Sequence, residues 1–242
     1  MNELYASAPV YNPPVPASAS ASVKHFATRF EQDEVTVSGT VEETAVRGGN
    51  LFGREVVVFT LLSTRLSGAV DRIPVCVPLD VAERYNVSLR TDDLVVVSGQ
   101  LRTYFCETDG HMHALVCASL VATPLEDPQI NYVRITGEIT KQPVYLVTPF
   151  GRQITDASIC VFYSDPVYRG VAHVPCVFWG GFANVASTYK PRETISVFGR
   201  FQSREYQKQL PDGTTETRIA HEVSVHHCVP LERNFLRSKS GM

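Results

Sequence analysis

The only tryptophan, Trp179, closes an apolar run directly before Gly180-Gly181. Farther along, the run Arg200-Phe201-Gln202-Ser203-Arg204-Glu205-Tyr206 mixes cations, amides and rings. Flat aromatic faces and cations are what an unpaired nucleic-acid strand requires. Rings stack on bases, each stack contributing ~1–3 kcal/mol, and cations neutralise phosphates. Without further context a lone tryptophan in a β protein reads as core filling, and strand arginines read as a solvated face. Lys141, Arg152, Lys190, Arg192 and Lys208 fall in predicted loops or hairpin tips, where the binding residues of small barrels concentrate. Tyr163 and Tyr168 bracket another predicted loop and are also candidates to reach bases.

Catalytic frames are missing. There is no GxSxG elbow, HExxH helix, glycine-rich phosphate loop with lysine, or recognisable carboxylate pair, so the expected activity is binding without catalysis. The six cysteines form no CxxC and mostly sit in apolar runs, which reads as buried reduced thiols. His226, His227 and Cys228 are consecutive, and strand residues alternate between faces, so no metal is assigned and no cofactor is expected. No apolar run reaches the ~18 residues of a membrane span and no secretory pattern opens the chain, so a cytoplasmic setting without membrane contact is expected.

The net charge of −3 conceals an asymmetry. Residues 1–130 carry 9 Lys+Arg against 16 Asp+Glu, or −7, and residues 131–242 carry 13 against 9, or +4. Phosphate neutralisation supplies most non-specific affinity for nucleic acid, so polyanion binding is expected to favour the second half.

The elements that must position these groups are strands. Residues 1–25 are Ala/Ser/Pro-rich and aperiodic, and are expected to form a disordered arm. From Val35 on, short apolar runs alternate with period two between Gly, Pro, Asp and Asn. Five such runs occur twice. Gly39 matches Gly137, Phe52-Gly53-Arg54 matches Phe150-Gly151-Arg152, Pro74 matches Pro175 and Gly99 matches Gly199, in the same order, as an internal duplication requires. A short helix is predicted after the third strand of each copy. The fold class is therefore all-β, with two tandem five-stranded OB barrels: a first domain over 26–126, a second over 127–231, and a flexible tail over 232–242. The linker at Leu125-Glu126-Asp127-Pro128 is short enough to restrict the mutual geometry of the barrels.

The second copy resembles the bacterial single-stranded DNA-binding proteins. The matching text is GEITKQPVYLVTPFGRQITDASICV, VPCVFWGGFANVASTYKP and ISVFGRFQSREY, over most of residues 133–206. The first copy is similar to a single-barrel variant of that family through Arg65-Leu66-Ser67-Gly68, Ile73-Pro74-Val75 and the run from Gly99 to Tyr104. The resemblance implies that Trp179 and Tyr206 face the ligand as stacking platforms, with Arg200 and Arg204 beside them. By analogy Arg65, Arg72, Arg102, Tyr104 and Phe105 are the candidates in the first copy. Tyr189 is read as structural, closing the bottom of the barrel. Two departures stand out: the chain ends in a basic Arg233–Met242 where the family commonly has an acidic tail, and Lys190-Pro191-Arg192-Glu193 replaces a basic-x-Gly-Asp turn.

The resemblance implies a protein that binds and protects single-stranded DNA, without strong sequence specificity, in replication, recombination or repair. It implies a nucleoid-associated location, possible replication-protein partners, and a homodimer supplying four barrels. The first barrel, acidic and with Pro78-Leu79 where the second has Trp179, is expected to bind DNA weakly and to serve assembly or partner contact. Two alternatives stay open: an interaction module of the primosome type with little DNA affinity, and a binder of single-stranded RNA.

Overall fold

The computed structural model describes residues 33–86, 88–106, 110–164, 169–210 and 213–231. The first copy contains β1 (Asp33–Val41), β2 (Val46–Leu51), β3 (Arg54–Thr64), β4 (Val70–Pro78), helix α1 (Leu79–Tyr85), β5 (Leu94–Cys106) and β6 (His111–Ala122). Strand β1 pairs antiparallel with β5 from Val35↔Gly99 to Thr40↔Leu94, and at its far end with β3 through Thr40↔Leu62 and Val41↔Leu61. The circuit continues β3–β4 antiparallel, β4–β6 parallel and β6–β5 antiparallel, so the five strands close without a free edge. This is the OB barrel, with its helix after the third barrel strand, and β2 is added as a hairpin partner of β3.

The second copy repeats the plan with β7 (Asn131–Ile139), β8 (Val144–Val147), β9 (Gln153–Ser164), β10 (Arg169–Trp179), α2 (Gly181–Ser187), β11 (Thr194–Gln209) and β12 (Thr215–Pro230). Strand β7 pairs with β9 and β11, β9 with β10, and β10 runs parallel to β12. Val133, Ile135 and Ile139 of β7, Ile159 and Val161 of β9, and Val174, Cys176 and Phe178 of β10 are all buried, the inward half of the period-two pattern.

The glycines that align the two copies are points of close approach. A Cβ on Gly39 would lie 2.1 Å from the carbonyl oxygen of Leu62, and one on Gly137 would lie 2.3 Å from that of Cys160. These are the places where the first strand of each barrel passes from one partner strand to the other. Backbone can cross backbone there only if no side chain intervenes.

By packing, the chain divides into two compact units that do not follow the two copies. One contains Val35–Asn131 together with Phe201–Glu222, and the other contains Tyr132–Arg200 with the strand from Val223 on. Strands β11 and β12 are 16 residues each, and their outer halves form a hairpin that packs as part of the first unit. Within that unit the linker is anchored on β1: the Ser38 hydroxyl donates to Asp127 Oδ1 at 2.6 Å, and Ser38 N–H to the Ile130 carbonyl at 2.7 Å. No helix among the described residues is long and apolar enough to cross a membrane.

Candidate nucleic-acid interface

Trp179 is the last residue of β10 and pairs with Ile154 of β9. Its indole N–H donates to the Ser224 hydroxyl on β12 at 3.1 Å, and the side chain is half-buried. The ring is thus fixed in orientation while part of it stays open to a base. Gly180, with φ 56°, turns the chain into α2 and donates its N–H to the Gln153 carbonyl at 3.0 Å. That bond ties the tryptophan to the tip end of the β8–β9 hairpin, one residue from Arg152.

The tip of that hairpin is the five-residue loop Thr148–Arg152, bounded by the Val147↔Gln153 pair. Gly151 N–H donates to the Thr148 carbonyl at 2.8 Å with φ 75°, and Arg152 N–H donates to Thr148 Oγ1 at 3.0 Å. This wider turn throws Phe150 outward to 93% exposure. In the first copy the same Phe-Gly-Arg triplet follows another course. Leu51 pairs with Arg54, so Phe52 and Gly53 form a two-residue turn with φ 53° and 74°, and Phe52 is 5% exposed. All four residues of β8 are also exposed, Tyr145 among them. Lys141 is exposed before β8 and Arg152 after it, so the second unit presents a cation, a ring, a ring and a cation along one hairpin.

Sequence reasoning alone does not single out Tyr145 and Phe150 as platforms. Pro149 ahead of Phe150-Gly151 was the available signal, because it favours a turn whose third position projects.

Lys190 and Arg192 are exposed in the turn between α2 and β11. Glu193 N–H donates to the Lys190 carbonyl at 3.1 Å, and Arg192 N–H to the Ile139 carbonyl at 2.8 Å. Arg192 takes the left-handed slot with φ 71°. The first copy builds the same turn from Arg90-Thr91-Asp92-Asp93: Asp93 N–H donates to Arg90, Asp92 N–H to Val41, and Asp92 has φ 68°. An arginine in one copy thus stands where the other has an aspartate, which gives the charge asymmetry a location. Replacing Arg192 by glycine is expected to lower the log–log salt slope of single-strand binding by about 0.7, with folding stability changed by less than about 1 kcal/mol, because glycine adopts this φ freely. An unchanged slope in a salt-series titration would remove Arg192 from the interface.

Arg204 and Tyr206 lie on β11 in the hairpin of the first unit. The Arg204 guanidinium carbon is 5.8 Å from the Tyr206 ring centroid, and Tyr206 is 36% exposed. Arg204 is also committed to Glu222, with Nε at 3.2 Å from Oε1 and Nη2 at 3.3 Å from Oε2, while Gln202 Nε2 donates to the same Oε1 at 3.0 Å. Arg200 and Lys208 are partly exposed.

Three expected site residues are buried. Arg102 is 4% exposed and donates to the Leu101 carbonyl and to Gln100 Oε1. Tyr104 is 9% exposed and stacks on His113 with centroids 5.6 Å apart. Tyr163 is 4% exposed because alternation along β9 puts it on the core face with Ile159 and Val161. Tyr168 lies outside the described residues, as do the terminal arm and tail. Tyr189, just after α2, is buried with its hydroxyl 3.6 Å from Cys228 Sγ; burial pushes the phenol well above its ordinary pKa.

His221, in the same hairpin, shares a hydrogen bond of 3.0 Å between Nε2 and the Arg72 carbonyl. Burial pushes its pKa down to about 4; nearby His113 acts in the same direction, against the Arg72 carbonyl and the Asp71 and Glu222 carboxylates. The neutral ring is therefore the folded form, and the unfolded chain takes up the proton first. Stability is fully present above pH 6.5 and declines as pH falls from there toward 4. At pH 5 the deficit relative to pH 7 is expected to be about 2 kcal/mol. Urea unfolding at the two pH values measures it, and His221→Gln, which keeps a neutral donor, is expected to flatten the difference. An equal acid loss in that variant would assign the effect elsewhere.

The profile of the Single-strand binding protein family matches residues 130–228. No curated protein matches the sequence. Among solved structures, the wild-type single-stranded DNA binding protein from Thermus aquaticus is 19% identical, with 83% of this chain and 93% of that one covered at a TM-score of 0.63. A deletion mutant of the same Thermus aquaticus protein is 20% identical, with 83% and 94% covered at 0.59. At this identity the likeness is one of fold.

Proposed function

Because residues 130–228 match the single-strand binding protein family, we propose that this chain binds single-stranded DNA through stacking and phosphate neutralisation, without altering it chemically. The observation that carries this reading is the half-buried Trp179, oriented by Ser224 and bonded through Gly180 to a hairpin that displays Tyr145, Phe150 and Arg152. Such a surface recognises π-faces and backbone charge, which every base and phosphate provides, so sequence preference is expected to be weak.

Fluorescence titration of Trp179 with oligo-dT at several salt concentrations tests the reading. Quenching with an affinity that falls as salt rises is the expected result. Unchanged emission, together with no complex in a mobility assay at low salt, would reject it in favour of a protein-interaction module.

The finer assignments are inferred from the likeness to that family. Replication, recombination and repair all expose single strands, and a homodimer would bring four barrels to one strand. Mass measurement in solution tests the dimer. The first copy serves mainly in assembly or partner contact, since it buries Arg102, Tyr104 and Phe52 and puts Asp92 where the second copy has Arg192.

A further inference from the structure

Asp71 of β4 is completely buried. A carboxylate so placed persists only where hydrogen bonds and opposite charge replace water. Arg65 supplies both, with Nε donating to Oδ2 at 2.7 Å and Nη2 to Oδ1 at 2.5 Å. The third donor is the backbone N–H of Ser203, 2.8 Å from Oδ1, in the β11–β12 hairpin of the same unit. Ser203 is in fact held at every polar atom it has. Its carbonyl accepts from Arg65 Nη2 at 3.2 Å, and its hydroxyl accepts from the backbone N–H of Arg72 at 2.9 Å. On the neighbouring strand, His221 engages the carbonyl of that same Arg72. The pairing is strong enough to raise the Arg65 pKa, chiefly through its hydrogen bond to Asp71.

The grip has a consequence one residue farther on. Side chains alternate along a strand, so fixing Ser203 on one face commits Gln202, Arg204 and Tyr206 to the other. Glu222 collects Gln202 and Arg204 there, and Arg204 lies over the Tyr206 ring. We propose that the Arg65–Asp71 pair is a positioning device for strand binding: by holding Ser203 it fixes the register of the hairpin and presents Arg204 and Tyr206 as one cation–ring platform for single-stranded DNA. This rests on the DNA-binding reading above.

The test is a double-mutant cycle on the full chain with labelled oligo-dT. Asp71→Asn keeps the shape and removes the charge. It is expected to weaken dT binding about tenfold in the wild-type background, and by less than about twofold when Arg204 and Tyr206 are already alanine. In hydrogen exchange, amides of the 201–209 and 215–222 segments are expected to lose protection while β1 and β5 keep theirs.

Equal weakening in both backgrounds would mean general destabilisation and would overturn the proposal, as would undiminished binding by Asp71→Asn in the wild-type background. If Asp71→Asn does not fold, Arg65→Lys enters the same cycle, because lysine keeps the charge and loses the two-pronged contact. Should the wild-type protein not bind dT at all, the functional reading fails and takes the proposal with it. That outcome is told apart by the wild-type titration, which does not depend on any variant.

Discussion

Trp179→Ala is expected to weaken oligo-dT binding about ten- to hundredfold, the range that loss of one stacked base predicts. The estimate follows from placement. The indole is the only tryptophan, it is partly exposed, and its N–H is spent on Ser224, so the part left open meets a base without further loss of side-chain freedom. Trp179→Phe separates stacking from the hydrogen bond. Phenylalanine keeps a flat ring and loses the donor, so it is expected to retain most of the affinity, within about fivefold of wild type. Anisotropy of labelled dT reads both variants, since the intrinsic fluorophore is gone. If alanine and phenylalanine were equally harmful, the contribution of Trp179 would be its bond to β12 and not its ring. If neither mattered, the interface would have to be sought along β8 and Phe150.

What the sequence discloses about this protein is chiefly what repeats. The duplicated strands are legible because Gly39, Gly137, Gly99 and Gly199 are demanded by backbone contacts: a Cβ at any of them would come within 2.4 Å of a carbonyl oxygen. A constraint of that kind leaves an invariant letter at a regular interval. The Phe-Gly-Arg triplets repeat as faithfully and mislead, since burial of Phe52 and exposure of Phe150 depend on whether two or five residues close the hairpin, and that is settled by cross-strand register. Tyr163 was readable, because its period-two companions Ile159 and Val161 mark the core face. Arg102 and Tyr104 were less so. Leu101, Arg102, Thr103 and Tyr104 are buried in succession, on both faces of β5, and the unit holding them includes a hairpin from a hundred residues downstream. Local alternation carries no trace of such a partner. For the same reason the Asp71–Ser203 grip could not be read from either segment alone.

Gly137→Ala is expected to destabilise the protein by at least about 3 kcal/mol, beyond what most single substitutions cost. The added methyl would stand 2.3 Å from the Cys160 carbonyl oxygen and 2.7 Å from the Ile159 side chain, and the carbonyl cannot retreat because β9 is paired with β7 and β10 there. Either the ladder opens at the barrel seam or the strand shifts, and each exposes core. Gly151→Ala is the control that isolates space from backbone conformation. Gly151 has φ 75° and nothing within 4 Å of its Cβ position, so alanine there meets only the left-handed penalty of about 1–2 kcal/mol per residue. Urea unfolding of the two variants beside wild type is expected to rank Gly137→Ala well below Gly151→Ala. The reverse order would mean that the strand crossing yields more easily than a solvent-exposed turn, and the close approach would then not be what holds the first strand of each barrel to its two neighbours.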